Sequence, residues 1–144
     1  MLPQLAFRAL SAHGAEPLAA TSPSTGRRRA ASAWGLELLC VQPEEYSSAL
    51  TAVIMPEGHD ADAFRKIVLD RFDMSLGAGL GKLKGKVFRI GHLGDFNDLT
   101  LMGALSGCEM GLKLSGVKLA GSGVAAAMDY FAGHPSRMPL QKAA

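Results

Sequence analysis

A two-layer α+β domain, with a small, mostly antiparallel sheet covered on one face by helices, is the fold class that three features of this 144-residue sequence predict. Apolar runs of strand length occur at "SALTAVIMP" and "KVFRIGHL". Stretches with capping residues and a 3.6-residue apolar period begin at Asp60 and Asn97. The order that results is strand, strand, helix, strand region, strand, long helix, helix, the pattern of a small antiparallel or mixed sheet with helices on one face.

The length bounds the chain to one core. Hydrophobic residues at 48% and charged residues at 19% place it among globular chains rather than disordered ones. The net charge of +2 is too small to indicate nucleic acid, which needs clustered cations facing several phosphates. No apolar run approaches the ~20 residues that span a bilayer. The two cysteines, Cys40 and Cys108, stand in neither a CxxC nor a Cys/His ligand spacing, and a reduced, cytoplasmic setting is the default expectation.

Residues 1–26 are rich in Ala, Ser, Pro and Arg, contain a single acid, Glu16, and show no sustained period, so they read as a disordered arm. An acid-poor, Arg- and Ser-containing start is also the composition of an organelle transit peptide, with composition its only support. From about Thr25 the chain suits a short helix through Trp34, stopped by Gly35. "LELLC", Leu36 to Cys40, is a strand candidate, "PEEYSS" a turn, and "SALTAVIMP", Ser48 to Pro56, a buried strand closed by proline.

The next helix has Asp60 at its N-cap, Asp62 in its first turn, and Phe64, Ile67, Val68 and Phe72 on one stripe. Asp62 with Lys66 and Lys66 with Asp70 stand four apart and suit weak pairing. After a loop that interleaves Gly77, Gly79, Gly81 and Gly85 with Lys82, Lys84 and Lys86 comes the strand "KVFRIGHL". Asn97 then caps a long helix, Asp98 to about Ser115, with Leu101, Leu105, Cys108 and Leu112 as its apolar stripe. A last helix runs from about Gly123 to Ala132, and residues 135–144 form a flexible tail.

Several chemistries fail on spacing. The glycine-lysine loop is neither a phosphate-cradling GxxxxGK[ST] nor a dinucleotide GxGxxG motif, and solvated lysines on a flexible loop are its plainer reading. For metal, His59, Asp60 and Asp62 are adjacent but belong to a helix cap, while His92 and Asp95 have no second histidine at ligand spacing. Gly103, Gly107 and Gly111 recur every four residues of the long helix, each costing about 1 kcal/mol of helix propensity, so they mark a ridge where another element comes close.

Arg89 stands out. Strand alternation sends Phe88 and Ile90 to one face, under the helices, and Val87, Arg89 and Gly91 to the other. Gly91 leaves room beside the guanidinium, a rigid charged fork suited to gripping a carboxylate. A structural salt bridge or a solvent-facing arginine fits the same spacing equally well.

The string "GLGKLKGKVFRIGHLGD", within a match running from about Arg28 to Gly133 and including "GSGVAAAMDYFAG", closely resembles the C-terminal small domain of serine-glyoxylate aminotransferases. These are class V, alanine-glyoxylate-like pyridoxal-phosphate enzymes. The resemblance implies the small domain of a fold-type I enzyme over residues 27–134. It also implies that Arg89 binds the α-carboxylate of an amino-acid or keto-acid substrate, with Ser75 to Gly81 bordering the active-site mouth. His92 and Asn97 match the family pattern without a role to assign. In that family a preceding large domain carries the Schiff-base lysine, the aspartate at the pyridine nitrogen and the phosphate-binding residues, and none of these has a counterpart here. The expectation is a fragment that supplies the substrate-carboxylate arginine, with no catalytic, cofactor-binding or metal residue of its own and no pyridoxal phosphate bound by this chain alone. An unrelated lead-in followed by an abrupt return to the family pattern is what a truncated or frameshifted gene produces. A homodimer or a separate large-domain chain is the expected partner. The alternative is a stand-alone α+β module that binds a carboxylate ligand or a partner protein.

Overall fold

The computed structural model describes residues 23–47, 49–91 and 97–134. The strand β1 (Leu50–Ile54) pairs with β3 (Val87–Gly91), and β3 with the two-residue β2 (Gly77–Ala78), all antiparallel, so the sheet order is β1-β3-β2 with β3 at its centre. Four helices, α1 (Pro23–Trp34), α2 (Ala61–Phe72), α3 (Asp98–Leu114) and α4 (Gly123–Gly133), complete the α+β domain.

Helix α1 ends as its sequence demands. Gly35 takes φ +79°, a left-handed conformation open to glycine, and its N–H donates to the Ser32 carbonyl at 3.0 Å. The helix starts at Pro23, so its first turn comes out of the stretch read as an arm. Proline suits a first helical position, where its missing N–H would have no partner anyway.

The predicted strand Leu36–Cys40 shrinks to one bridge, Leu38 with Val53, flanked by the Ile54 N–H to Glu37 carbonyl bond at 2.8 Å and the Leu39 N–H to Ala52 carbonyl bond at 3.0 Å. A 3-10 turn over Pro43–Glu45 then takes the chain away from the sheet.

The caps of the next two helices are those expected. The Asp60 side chain accepts from the Asp62 N–H at 2.9 Å, and that of Asn97 accepts from the Thr100 N–H at 2.9 Å. On α2, Lys66 pairs with Asp70 as anticipated, but Asp62 pairs with Arg65 at 3.1 Å rather than with Lys66. Arg65 is held there by its second bond, Nε to the Leu76 carbonyl at 2.8 Å, which ties α2 to the segment entering β2.

The core lies between the helices and one face of the sheet. Leu101, Leu105, Cys108 and Leu112 of α3 are fully buried, together with Phe64 and Val68 of α2 and Phe88 of β3. The rings of Phe64 and Phe88 stand 4.7 Å apart. Burial pushes the Cys108 thiol up to about 12, so it packs as a small apolar group.

The glycine ridge of α3 is used inside the domain. A Cβ on Gly111 would stand 2.9 Å from Phe64 Cε2, and one on Gly107 would stand 2.8 Å from Met74 Cε, whereas one on Gly103 would meet nothing within 4 Å. Gly107 and Gly111 therefore let α2 and the turn after it close onto α3, and Gly103 is open. A similar approach joins α1 to α4, where a Cβ on Gly123 would lie 2.5 Å from Trp34 Nε1.

One polar cluster crosses this core. Glu109 of α3, only 7% exposed, accepts from Trp34 Nε1 of α1 at 2.9 Å, and from the Val124 N–H at 3.0 Å and Ser122 Oγ at 3.2 Å at the start of α4. A single carboxylate thus joins three helices, with exposed Lys113 at 3.3 Å on its outer oxygen.

Candidate substrate-carboxylate site

Arg89 occupies the middle of the central strand, opposite Ala52 of β1 and Gly77 of β2. Residues directly opposite across antiparallel strands share a face, so the arginine lies between two of the smallest side chains available. Phe88 and Ile90 point into the helix-covered core. Val87, by contrast, is 2% exposed although it lies on the Arg89 face and outside that core cluster, so this face is not bare.

The glycine that makes room for the guanidinium is Gly77, not Gly91. A Cβ on Gly77 would stand 3.0 Å from Arg89 Cβ and 3.1 Å from its Nε, tighter than ordinary packing allows, while one on Gly91 would meet nothing within 4 Å. Arg89 therefore lies across the β2 backbone. Its position follows from the loop before the strand. Arg65 holds the Leu76 carbonyl, and the Gly79 N–H donates to the Val87 carbonyl at 3.1 Å. At Gly79 any Cβ would collide with the Leu83 backbone, so this turn, too, requires glycine.

Arg89 is half-buried, and its Nε is buried with no hydrogen-bond partner among the described residues. A guanidinium presents five coplanar N–H donors and is always charged near neutrality. Left without an internal acceptor, it is suited to an external anion with two oxygens in one plane, which is the geometry of a carboxylate. Gly77→Val is expected to push the guanidinium from its place: it should destabilise the fold by about 1–3 kcal/mol, the usual range for overpacking, and weaken carboxylate binding further. Chemical denaturation and ligand titration of the same variant separate the two effects.

The remaining sequence candidates do not converge here. Asp60 and Asp62 serve the α2 cap and the Arg65 pair, the His59 N–H donates to the Pro56 carbonyl, and no group of three metal-binding side chains occurs among the described residues. His92 and Asp95 lie outside the described residues, as do most of the 1–26 arm and the 135–144 tail. Lys82, Lys84 and Lys86 are exposed, and so is every other described lysine. Pyridoxal chemistry needs a lysine held in a pocket beside an acid at the ring nitrogen, and the described residues do not fit that requirement. Three residues carry weight that local pattern did not reveal. Gly77 depends on cross-strand register, Glu109 on a contact with Trp34 75 residues away, and Arg27 on the docking of α1.

No family model matches the chain. It is 50% identical over 109 residues to the serine-glyoxylate aminotransferase of Methylorubrum extorquens, covering 75% of this chain and 27% of that protein. It is 43% identical over 109 residues to the L-aspartate-glyoxylate aminotransferase of Paracoccus denitrificans, covering 75% and 28% respectively. Among solved structures it superposes on pyridoxamine-pyruvate aminotransferase from Mesorhizobium loti with a TM-score of 0.72 at 28% identity, over 78% of this chain and 29% of that one. The ureidoglycine-glyoxylate aminotransferase of Bacillus subtilis gives a TM-score of 0.69 at 26% identity, over 75% and 28%. The chain thus spans between a quarter and a third of the length of each of these four relatives. Over about three quarters of its length the chain therefore matches serine-glyoxylate aminotransferases in sequence and class V pyridoxal-phosphate aminotransferases in fold.

Proposed function

We propose that this chain is the part of a serine-glyoxylate-type transaminase that holds the substrate carboxylate, and that Arg89 is the residue that holds it. The observation that carries the reading is the charged fork of Arg89, laid over Gly77 and left without a described acceptor. Two parallel N–H···O bonds fix a carboxylate's plane as well as its place. A small amino acid or keto acid bound this way has its α-carbon aimed in one direction, which is the positioning that makes a later reaction effectively unimolecular. The names of the relatives supply the substrate class, serine as amino donor and glyoxylate as acceptor.

The amino transfer itself belongs to residues other than the described ones. Every described lysine is exposed, and none is held in a pocket as pyridoxal chemistry requires. The chain acts in company with a large domain, either within a longer polypeptide or as a second chain, and a homodimer of the whole enzyme is the natural setting. Purified chain mixed with pyridoxal phosphate, serine and glyoxylate is expected to give no borohydride-reducible aldimine at a specific site on the protein and no serine-dependent glycine. A specific aldimine with turnover would overturn the reading.

A further inference from the structure

Helix α1 is docked unevenly along its length. Arg27, Ala30, Ala31 and Trp34 follow the i, i+3, i+4, i+7 stripe that faces the core, and all are buried, with Arg27 1% exposed. At the C-terminal end the docking is fully bonded. Trp34 donates its indole N–H to Glu109 at 2.9 Å, its carbonyl accepts from the Ala120 N–H at 2.9 Å, and the Leu36 N–H reaches the Ala31 carbonyl at 3.0 Å.

The N-terminal half has the opposite character. Nε, Nη1 and Nη2 of Arg27 are all buried and all lack a partner among the described residues. Burial, with the adjacent Arg28 charge adding to it, lowers the Arg27 guanidinium to about 9, so the group is still charged at neutral pH. The first turn contains no acidic residue, and three consecutive arginines stand near the positive end of the helix dipole. A buried charge with neither counter-ion nor hydrogen bond is among the least favourable arrangements in a protein interior. Arg28 and Arg29 escape this by lying over the rings of Tyr46 and Tyr130, at 4.3 and 5.2 Å from their centres.

We propose that the first half of α1, residues 23–29, is a displaceable strap, which leaves its place against α4 and hydrates Arg27 while the Ala30–Trp34 half stays docked. Gly26 is the natural release point: it packs directly on the Phe131 ring, where no side chain would fit, and glycine inside a helix costs about 1 kcal/mol relative to alanine, so the helix unwinds there most readily. When the strap lifts, Phe131 is uncovered, and the Glu109 cluster two turns away is undisturbed.

Hydrogen exchange on the full chain tests this. The amides of residues 27–30, which have helical acceptors, are expected to exchange at least about tenfold faster than those of 34–36, the gap that a local opening below the global stability produces. Arg27→Met removes the buried charge at similar length and is expected to close that gap, whereas Ser32→Ala, an exposed change on the same helix outside the strap, is expected to leave it. Equal protection along α1, a gap that Arg27→Met leaves unchanged (ordinary fraying), an equal response to both substitutions, or a chain with no protected amides in α3 would each overturn the proposal.

Discussion

Glu109→Ala is expected to unfold a large fraction of the protein at temperatures where the parent chain is folded. The substitution strips the acceptor from Trp34 Nε1 and from the Val124 N–H, both inside the junction of α1, α3 and α4. An unsatisfied buried donor costs about 1–3 kcal/mol, so the two together cost about 2–6 kcal/mol, with the part-buried Val124 N–H at the lower end of its share, against the total of about 5–15 kcal/mol that holds a typical domain. A lost pair with Lys113 contributes little, because that lysine is mostly in solvent. Glu109→Gln keeps a carbonyl oxygen for Trp34 and is expected to lose less than half as much. Urea denaturation of the three proteins gives the ranking directly, and an alanine variant as stable as the parent would remove Glu109 from its place in this account.

The same carboxylate sets an acid limit. Burial acts to raise its pKa, but the hydrogen bonds from Trp34, Val124 and Ser122 and the Lys113 contact outweigh it and hold the group below the ordinary carboxylate value. Since the unfolded glutamate takes up its proton near pH ~4.3 and the folded one only at lower pH, the unfolded state binds more protons between the two values. The stabilisation is thus complete above the unfolded value and is lost as pH falls through the folded one. Between pH 6 and pH 3 the parent chain is expected to lose stability more steeply than Glu109→Gln. Parallel pH profiles would contradict this.

The difference between what local sequence reveals and what it conceals follows from the range of the interactions. Asp60 and Asn97 were readable as caps because a cap and its N–H partner are two or three residues apart. The buried stripe of α3 was readable because helical period alone places Leu101, Leu105, Cys108 and Leu112 on one side. For Asp62, two arrangements are equally local, and Arg65 prevails over Lys66 because the Leu76 carbonyl already orients it. Leu36–Cys40 has strand composition, yet Pro43 and its turn draw it from the sheet after one bridge.

The site divides along the same line. The face that Arg89 takes follows from alternation within its own strand. The identity of the glycine beneath it follows from the pairing of β2 with β3, which no local pattern encodes, and Gly91, its neighbour in sequence, was the wrong one. Glu109 and Trp34 meet across most of the domain, so their bond is invisible to any period. Arg27 falls on the buried stripe by spacing, but only the docking of α1 reveals that its charge goes inside.

Arg89→Ala is expected to abolish saturable binding of small α-keto and α-amino carboxylates while leaving the fold intact, because no described hydrogen bond or ion pair depends on the side chain. Arg89→Lys keeps the charge and gives up the planar fork, and is expected to weaken binding by about tenfold or more, the effect of losing one charge-assisted bond. A loss of structure in Arg89→Ala would instead assign the arginine to the scaffold. Circular dichroism and thermal melting of the variant decide between these.

The most direct test watches the guanidinium itself. In nitrogen-labelled protein titrated with glyoxylate, the Arg89 Nε–Hε resonance and the Gly77 amide across the strand are expected to shift together and saturate. Glycolaldehyde, the same size without a carboxylate, is expected to leave both unmoved. Shifts that bypass Arg89 and Gly77, or that persist in Arg89→Ala, would contradict the claim that this arginine is where the domain holds its substrate.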